Sequence, residues 1–260
     1  MPTVTLLEKA YDASQLKPID NLSKTAFEGL DIHIESRISS SRKWIEVTIN
    51  GEDEKIALSY LAKEIGLSPA KLDVVERFSV LKGFIEKLDR NGNCILVDVG
   101  ISYPEIIDAT IPLHELQAQL TDGRKVALSK IAELFGFCRN LPLFVKILNV
   151  DEENKSIEAM LAEKQMMRYR SWTRSLLDRL IVLGATLDDI GLALRAARCE
   201  RDIVSIEPLG ILEHAVTCKL GTDAAGLIPK IGRRLKHATL TVYNPRRIMG
   251  FLEGGSTGIS

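Results

Sequence analysis

The sequence predicts an α+β multidomain protein with a β-barrel at its centre. Apolar and polar residues alternate over several short stretches between residues 76 and 163, which is the period of half-buried strands. Residues 1–75 mix helical and strand patterns, and two helical patterns followed by more short strands occupy the rest of the 260 residues. We therefore expect five parts: an α+β domain at 1–75, the barrel at 76–163, a two-helix connector at 164–202, a small basic β-rich unit at 203–252 and a flexible tail at 253–260.

The composition is that of an ordinary globular protein, with 45% hydrophobic and 27% charged residues. No apolar run approaches the roughly 20 residues that span a membrane, and the N-terminus lacks the charged region and cleavage site of a signal peptide. The four cysteines are scattered without a C-x-x-C pair. These features predict a protein of the reducing cytoplasm with no membrane partner.

Charge divides unevenly along the chain. Residues 1–163 carry 19 lysines and arginines against 26 acidic residues, a balance of −7, whereas residues 164–260 carry 15 against 9, a balance of +6. Together these give the net charge of −1. Such asymmetry predicts that a polyanion contacts the C-terminal part, the alternative being that the acidic half packs on the basic half.

Residues 1–75 predict the element order β-α-β-β-α. Strand patterns cover 3–7, 31–35 and 44–49, and helical spacing covers part of 13–29 and all of 53–65. Gly66 is placed to end the second helix.

A helix-turn-helix is the alternative for Leu61–Leu72, since alanine, glycine and serine have its spacing. The second helix would then cover Ser68–Glu76 and enter a DNA groove. That stretch offers Lys71 but also Asp73 and Glu76, which repel phosphates. A DNA-binding regulator is therefore the less favoured reading.

The barrel is predicted from five strands and one helix. The helical pattern spans residues 127–137 and separates the third strand from the fourth. The strands cover 78–88, 94–100, 108–113, 144–150 and 156–161. Three strands, a connection with a helix and a closing hairpin are the element order of the oligonucleotide-binding (OB) barrel.

Four stretches in this region resemble the S1 RNA-binding domain, an OB barrel. They are Gly83–Ile85, Val97–Gly100, Ala109–Leu116, and the hairpin of Val145–Asp151 with Ser156–Leu161. In that family they correspond to an early glycine in strand one, a V-D-V-G strand two, a strand three leading to H-x-S-E-L, and a V-K-V-L-x-V-D ending. The resemblance implies an S1-like OB barrel that binds single-stranded RNA.

One departure from the family concerns the second strand, where Cys94 and Ile95 stand in place of the usual exposed aromatic rings. Base–aromatic stacking contributes roughly 1–3 kcal/mol per base, so their loss weakens binding of a free strand. The barrel can then dock structured RNA or a protein instead. The expected RNA contacts are the remaining rings and cations: Lys82, Phe84, Tyr103, His114, Phe144 and Lys146.

The connector is predicted as two helices. An apolar stripe of Tyr169, Trp172, Leu176, Leu180 and Leu183 favours one helix over 164–183, and Thr186 is placed to cap a second over 187–199.

Two arginines of the first connector helix, Arg170 and Arg174, lie opposite its apolar stripe. They are predicted either to follow a phosphate backbone or to form a solvated face with Asp178 as partner.

The C-terminal unit is predicted to be β-rich, with strands at 203–206, 210–220, 226–229 and 239–243. Gly210–Glu213 echoes Gly83–Glu86 and Gly226–Pro229 echoes Ala109–Pro112, so a second, shortened barrel is one interpretation. The densest basic patch of the chain also lies here, uninterrupted by acidic residues and typical of a phosphate-binding surface. It comprises Lys230, Arg233, Arg234, Lys236, His237, Arg246 and Arg247.

Catalytic patterns are weak. The four histidines lack metal-ligand spacing, and the sequence has no P-loop, G-x-S-x-G or dinucleotide fingerprint. Glu213 and His214 are the one candidate acid–base pair, but neighbours on a strand point to opposite faces. We expect no enzyme activity, metal or cofactor, with an RNA-processing enzyme as the less favoured alternative.

The order of the parts resembles an uncharacterised archaeal protein family and, more loosely, the alpha subunit of the initiation factor that delivers initiator tRNA. These resemblances imply work in translation, near ribosomes or tRNA, or in RNA turnover. We expect a non-enzymatic RNA-binding protein whose partners are ribosomal, transfer or single-stranded RNA, with the ribosome or another protein as a further partner. The alternative is a protein-binding adaptor that uses the barrel as its docking surface.

Overall fold

The computed structural model describes residues 2–89 and 91–254, apart from the side chains of five α1 residues: Pro18, Ile19, Leu22, Ser23 and Lys24. The chain divides into two compact units. The N-terminal unit contains the residues up to Val74 together with Gly100–Ile106, and the barrel unit contains Val75–Val99 and the described residues from Ile107 onward.

The N-terminal unit is built on a three-stranded antiparallel sheet in the order β1-β3-β2. Its elements are β1 (Thr3–Lys9), α1 (Lys17–Ala26), β2 (Ile32–Ile38), β3 (Trp44–Gly51) and α2 (Glu54–Glu64). The observed order β-α-β-β-α is the one predicted. Alternation decides which residues of β3 are buried, because successive side chains on a strand point to opposite faces.

The predicted alternative of a helix-turn-helix is wrong. The chain after α2 turns at Gly66, which has φ +91°. It then forms the two-residue strand β4 (Ala70–Lys71) and a single 3-10 turn at Leu72–Val74. No second helix follows α2 within 68–76, so this stretch offers nothing to enter a DNA groove.

The barrel consists of five strands: β5 (Val80–Leu88), β6 (Cys94–Tyr103), β7 (Ile107–Pro112), β8 (Pro142–Asp151) and β9 (Ser156–Leu161). Their pairing order β6-β5-β8-β9-β7 closes through a further β6–β7 pairing. The pairs β5–β6, β5–β8 and β8–β9 are antiparallel, whereas β7–β9 is parallel. Closure removes exposed strand edges and fills the interior with side chains.

Two helices lie between β7 and β8: α3 (Leu113–Leu120) and α4 (Leu128–Phe135). The second fulfils the prediction of a helix over 127–137. It ends because Gly136 takes a left-handed conformation with φ +68°, which glycine adopts at no steric cost.

The predicted long helix over 164–183 is correct only in its first half. Helix α5 runs from Glu163 to Ser175 and ends where Leu176 takes φ +56°. The residues that follow form β10 (Arg179–Leu183), a strand that is buried along its whole length. A strand covered on both faces is continuously apolar, so its leucines also satisfied helical spacing.

Four antiparallel strands form the C-terminal sheet in the order β11-β12-β10-β13. The strands other than β10 are β11 (Ile203–Pro208), β12 (Glu213–Cys218) and β13 (Thr239–Tyr243). Helix α6 (Leu187–Ala196) precedes them, and Thr186 caps it as predicted, accepting the Asp189 N–H at 3.1 Å.

The interpretation of a second, shortened barrel is wrong. Gly226–Pro229, predicted as a strand, belongs to a 3-10 turn and to helix α7 (Ile228–Ile231). The sheet of β10–β13 is open, with β11 and β13 at its two edges. Helix α8 (Pro245–Gly254) contains the first two residues of the predicted flexible tail, and residues 255–260 lie outside the described part of the chain.

Aromatic rings join α5 to the C-terminal sheet and to α4. The rings of Tyr169 and Tyr243 stack with centroids 5.8 Å apart, and Trp172 meets Tyr243 edge-on at 5.1 Å. Phe135 of α4 contacts Tyr169 at 5.4 Å. The guanidinium of Arg179 lies 5.0 Å from the Trp172 ring and burial lowers its pKa, while burial raises the pKa of Tyr243 to about 12.

None of the helices formed by residues 2–89 and 91–254 is long and apolar enough to cross a membrane.

We expect Gly136→Ala to destabilise the protein more than Gly123→Ala. Both glycines have positive φ, so alanine strains either backbone by roughly 1–2 kcal/mol. A β-carbon at Gly136 would also lie 2.9 Å from the Val242 carbonyl oxygen, adding about 1–3 kcal/mol of overpacking, whereas one at Gly123 meets no atom within 4 Å. Chemical denaturation of both variants measures the difference, and equal losses would contradict the packing of α4 against β13.

Candidate nucleic-acid interface

The outer surface of the barrel at β5 and β8 gathers apolar and basic side chains. Along β8, Leu143, Val145 and Ile147 are buried in the barrel, so the alternate residues Phe144 and Lys146 face outward. In the antiparallel register, Lys82 of β5 lies opposite Phe144, and Val80 lies opposite Lys146. Cross-strand partners share a face, so these four side chains lie together.

Helix α5 adds two cations to this surface. The Lys164 ammonium lies 3.2 Å from the centroid of the Phe144 ring, and the Arg168 guanidinium carbon lies 5.7 Å from it. Gln165, almost fully buried, accepts the Phe144 N–H at 3.3 Å and so fixes the helix against β8. The ring is therefore bordered by positive charge supplied from two strands and a helix.

The cations disfavour one another. The pKa of Lys164 is lowered by burial first, and then by the charges of Arg168 and Lys82. Arg168 is partly balanced by Glu207 at 3.3 Å. Neither Lys146 nor Lys164 forms an ion pair with any residue in the described part of the chain. An anion bound here would relieve this repulsion.

Phe78 extends the same surface and was missed by the sequence analysis, which placed it at the start of β5. Its side chain is 57% exposed, and Arg77 and Lys146 lie 4.8 and 5.3 Å from its ring centroid. Its φ of +68° is unusual for a bulky residue and costs roughly 1–2 kcal/mol. Neither exposure nor a left-handed backbone can be read from alternation, so no sequence signal identified it. We call the set Phe78, Val80, Lys82, Phe144, Lys146, Lys164 and Arg168 the barrel face.

The predicted RNA contacts of the barrel separate into two groups. Phe144 and Lys146 are half-buried on the barrel face, and Lys82 lies beside them but is only 9% exposed. Phe84 is fully buried, so its ring has no surface on which a base could stack. Tyr103 belongs to the N-terminal unit, where it is 64% exposed beneath the Lys71 ammonium at 5.6 Å. His114 is exposed on α3 and lies 3.6 Å from Glu115.

The two predicted arginines of α5 differ in their surroundings. Arg170 pairs with Glu163 at 2.8 Å, whereas Arg174 is exposed and forms no ion pair with any described residue. Asp178, predicted as their internal partner, instead accepts hydrogen bonds from Ala224 N–H and the Asn244 amide.

The basic C-terminal patch lies on α7, the loop after it and α8. Its exposed members Lys230, Arg233, Arg234, Lys236 and His237 form no ion pair within the described residues. Arg247 lies 3.6 Å from Glu133, and Arg246 lines a cavity of about 230 Å³ together with Asp178 and Asp223. Lys230, Arg233, Arg234 and Lys236 therefore remain available to an anion, with His237 beside them.

The candidate acid–base pair is inaccessible. Glu213 and His214 are both buried, and they point to opposite faces of β12. Burial also lowers the pKa of His214, which keeps the imidazole neutral. The described residues contain no group of three or more histidine, cysteine or carboxylate side chains that could hold a metal ion.

Three family models match the chain in succession. The DUF2110 N-terminal domain matches residues 3–70, the DUF2110 central domain matches 75–173, and the DUF2110 C-terminal domain matches 177–243. No curated protein matches the sequence.

Solved structures give weaker likenesses. An uncharacterised protein from Methanocaldococcus jannaschii is 11% identical, with 34% of this chain and 93% of that chain covered and a TM-score of 0.24. A chain of the a/eIF2alpha–aDim2p–rRNA complex from Pyrococcus horikoshii is 9% identical, with 50% of this chain and 70% of that chain covered and a TM-score of 0.26. The intact alpha subunit of aIF2 from Pyrococcus abyssi is 10% identical, with 65% of this chain and 96% of that chain covered and a TM-score of 0.26.

We expect Arg168→Gln to raise the pKa of Lys164, because it removes the neighbouring positive charge that lowers that pKa. Arg174→Gln, six residues further along α5, removes a charge that takes no part in the shift and is the matched control. An NMR titration of the Lys164 side chain measures both. An unchanged pKa in Arg168→Gln would show that the two cations do not share one surface.

Proposed function

The chain belongs to the DUF2110 family, and we propose that it binds RNA on the barrel face without catalysing a reaction. One observation carries the proposal: the Phe144 ring lies 3.2 Å from the Lys164 ammonium and 5.7 Å from the Arg168 guanidinium carbon, and neither Lys164 nor the nearby Lys146 forms an ion pair with a described residue. Aromatic rings beside uncompensated cations fit a ligand that combines flat bases with phosphates.

The topology of the barrel supports the same proposal. A closed ring of five strands, a parallel β7–β9 pair and helices between the third and fourth strands support the S1-like OB barrel that the sequence resemblance implies. Folds of this kind carry many functions, so the side chains on the barrel face, and not the fold, identify the ligand.

The basic C-terminal patch would add affinity that is independent of base sequence. Lys230, Arg233, Arg234 and Lys236 are exposed on a short stretch around α7, and each neutralised phosphate releases counterions. In this proposal the barrel face positions the RNA, and the patch strengthens its hold through the phosphate backbone. Ribosomal, transfer and unpaired RNA are the ligand classes to compare.

The burial of Glu213 and His214 supports a binding role without catalysis, because a general acid or base must reach its substrate within hydrogen-bond distance. Catalytic turnover of RNA by the purified protein, lost in His214→Ala, would contradict this part of the proposal.

The double variant Lys146→Gln, Lys164→Gln should weaken RNA binding and flatten its salt dependence. Each lost phosphate contact reduces the slope of log K against log salt by about 0.7 for a single strand, so the pair removes up to about 1.4. Fluorescence anisotropy between about 50 and 200 mM salt measures this slope. Arg37→Gln, whose arginine pairs with Glu46 at 2.7 Å in the N-terminal unit, is the control.

The wild-type salt dependence separates RNA binding from the adaptor alternative. RNA affinity that does not fall with ionic strength, or that is undetectable, would count against the barrel face as a phosphate site. A protein partner captured through the same residues would then favour the adaptor.

We expect the fourfold variant Lys230→Gln, Arg233→Gln, Arg234→Gln, Lys236→Gln to lower affinity for unpaired and duplex RNA alike. The slope against log salt should fall by more than about 1, since several phosphate contacts are removed together. Circular dichroism checks the fold, which the change leaves intact because all four side chains are exposed. An unaltered slope would restrict RNA binding to the barrel face.

A further inference from the structure

Phe78 places an exposed aromatic ring at a backbone position that disfavours a bulky residue. Among the phenylalanine, tyrosine and tryptophan side chains described in the barrel unit, only that of Phe78 is more than half exposed. Its backbone has φ +68°, a conformation that asparagine or glycine adopts with less strain. A bulky residue held in an unfavourable conformation at the surface points to a function for its ring.

The surrounding hydrogen bonds hold this conformation in place. Phe78 donates its N–H to the Ile147 carbonyl at 2.8 Å, and Ile147 donates back to the Ser79 carbonyl at 3.0 Å. The Ser79 hydroxyl also donates to the Glu76 carbonyl at 2.6 Å. The turn before β5 is therefore fastened to β8, and the backbone from which the ring projects is held in place before any ligand binds.

Positive charge flanks the exposed ring. The Arg77 guanidinium carbon lies 4.8 Å from the ring centroid, and its Nε donates to the Leu148 carbonyl at 2.7 Å, which orients it. The Lys146 ammonium lies 5.3 Å from the same centroid and follows Phe144 by two residues on the outer face of β8. The ring thus continues the strip of cations and rings that begins at Phe144.

We infer that Phe78 is a stacking platform for an unpaired nucleobase, so that the barrel face selects RNA with unpaired bases over a continuous duplex. This inference rests on the proposed function, RNA binding on the barrel face, and adds that the RNA bound there has unpaired bases. Every base has a π-face that can stack on an aromatic ring, whatever the sequence, and the flanking cations suit the adjacent phosphates. In a duplex those faces are already stacked on neighbouring base pairs, and only the backbone is offered.

The variant Phe78→Asn tests the inference, because asparagine tolerates positive φ and removes the ring. We expect its affinity for a mixed-sequence unpaired oligonucleotide to fall roughly 5- to 140-fold, the equivalent of 1–3 kcal/mol for one stacked base. Affinity for a duplex of the same length should not change. Phe78→Tyr should retain wild-type affinity. Val204→Thr, which alters an equally exposed apolar side chain on β11 outside the barrel face, is the matched control and should bind both RNAs as wild type does.

A direct readout separates stacking from a structural role. Phe78→Trp places a fluorophore at the site, whose emission a stacked base quenches, whereas the native Trp44 and Trp172 are both buried. Quenching by unpaired RNA but not by duplex is the expected result. The melting temperature of Phe78→Asn should be no lower than that of the wild type, since asparagine adopts this backbone conformation with less strain.

The outcomes distinguish the inference from the proposed function. If Phe78→Asn binds unpaired RNA as wild type does, while Lys146→Gln, Lys164→Gln weakens binding, RNA binding stands and the stacking role is overturned. Equal losses for unpaired and duplex RNA would likewise overturn it. If the wild-type protein binds neither RNA, the proposed function and the inference both fail.

Discussion

The position of helix α5 is the constraint on which the candidate interface depends. On one side, Gln165 accepts the Phe144 N–H and ties the helix to β8 of the barrel. On the other, the Tyr243 hydroxyl donates to the Tyr169 carbonyl at 3.1 Å, and the two rings stack. Gln165, Tyr169 and Tyr243 are all buried, so α5 cannot shift without losing one of these two contacts. Lys164 and Arg168 therefore stay beside the Phe144 ring.

Gathering cations in this way has an electrostatic cost in the free protein. The lowered pKa of Lys164 means that its charged form is less favourable folded than unfolded. The stability contribution of this group therefore increases as the pH rises through its folded pKa, the reverse of a lysine held in a salt bridge. A polyanion reverses the sign, because it favours the charged form in the bound state. Interfaces that keep such repulsion are selective for ligands that carry negative charge.

Alternation and turn residues were sufficient to predict the barrel strands, α4 and the N-terminal order, because each depends on local spacing. Two errors share a physical cause. Leu180 and Leu183 continue the apolar stripe of the predicted helix, yet they belong to the fully buried strand β10. Residue spacing alone cannot distinguish a helix from a strand that is buried on both faces. Phe84 and Phe144 both occupy outward positions of barrel strands, but only tertiary packing decides that the first is buried and the second is accessible. Phe78 required a backbone angle that no pattern reports.

The departure from the S1 pattern at strand two is matched by rings elsewhere on the same barrel. Cys94 is only partly exposed and Ile95 is buried, so β6 offers no aromatic surface there. Phe78 and Phe144 place rings on the neighbouring β5–β8 surface, where Lys146 lies close to the first and on the same strand as the second. Bases that stack on this barrel would therefore meet rings on β8 and just before β5 instead of on β6. Stacking requires an accessible ring, with a nearby cation for the phosphate, and either can be supplied by different strands of a closed sheet. The closure of the sheet, by contrast, fixes the number, tilt and register of its strands.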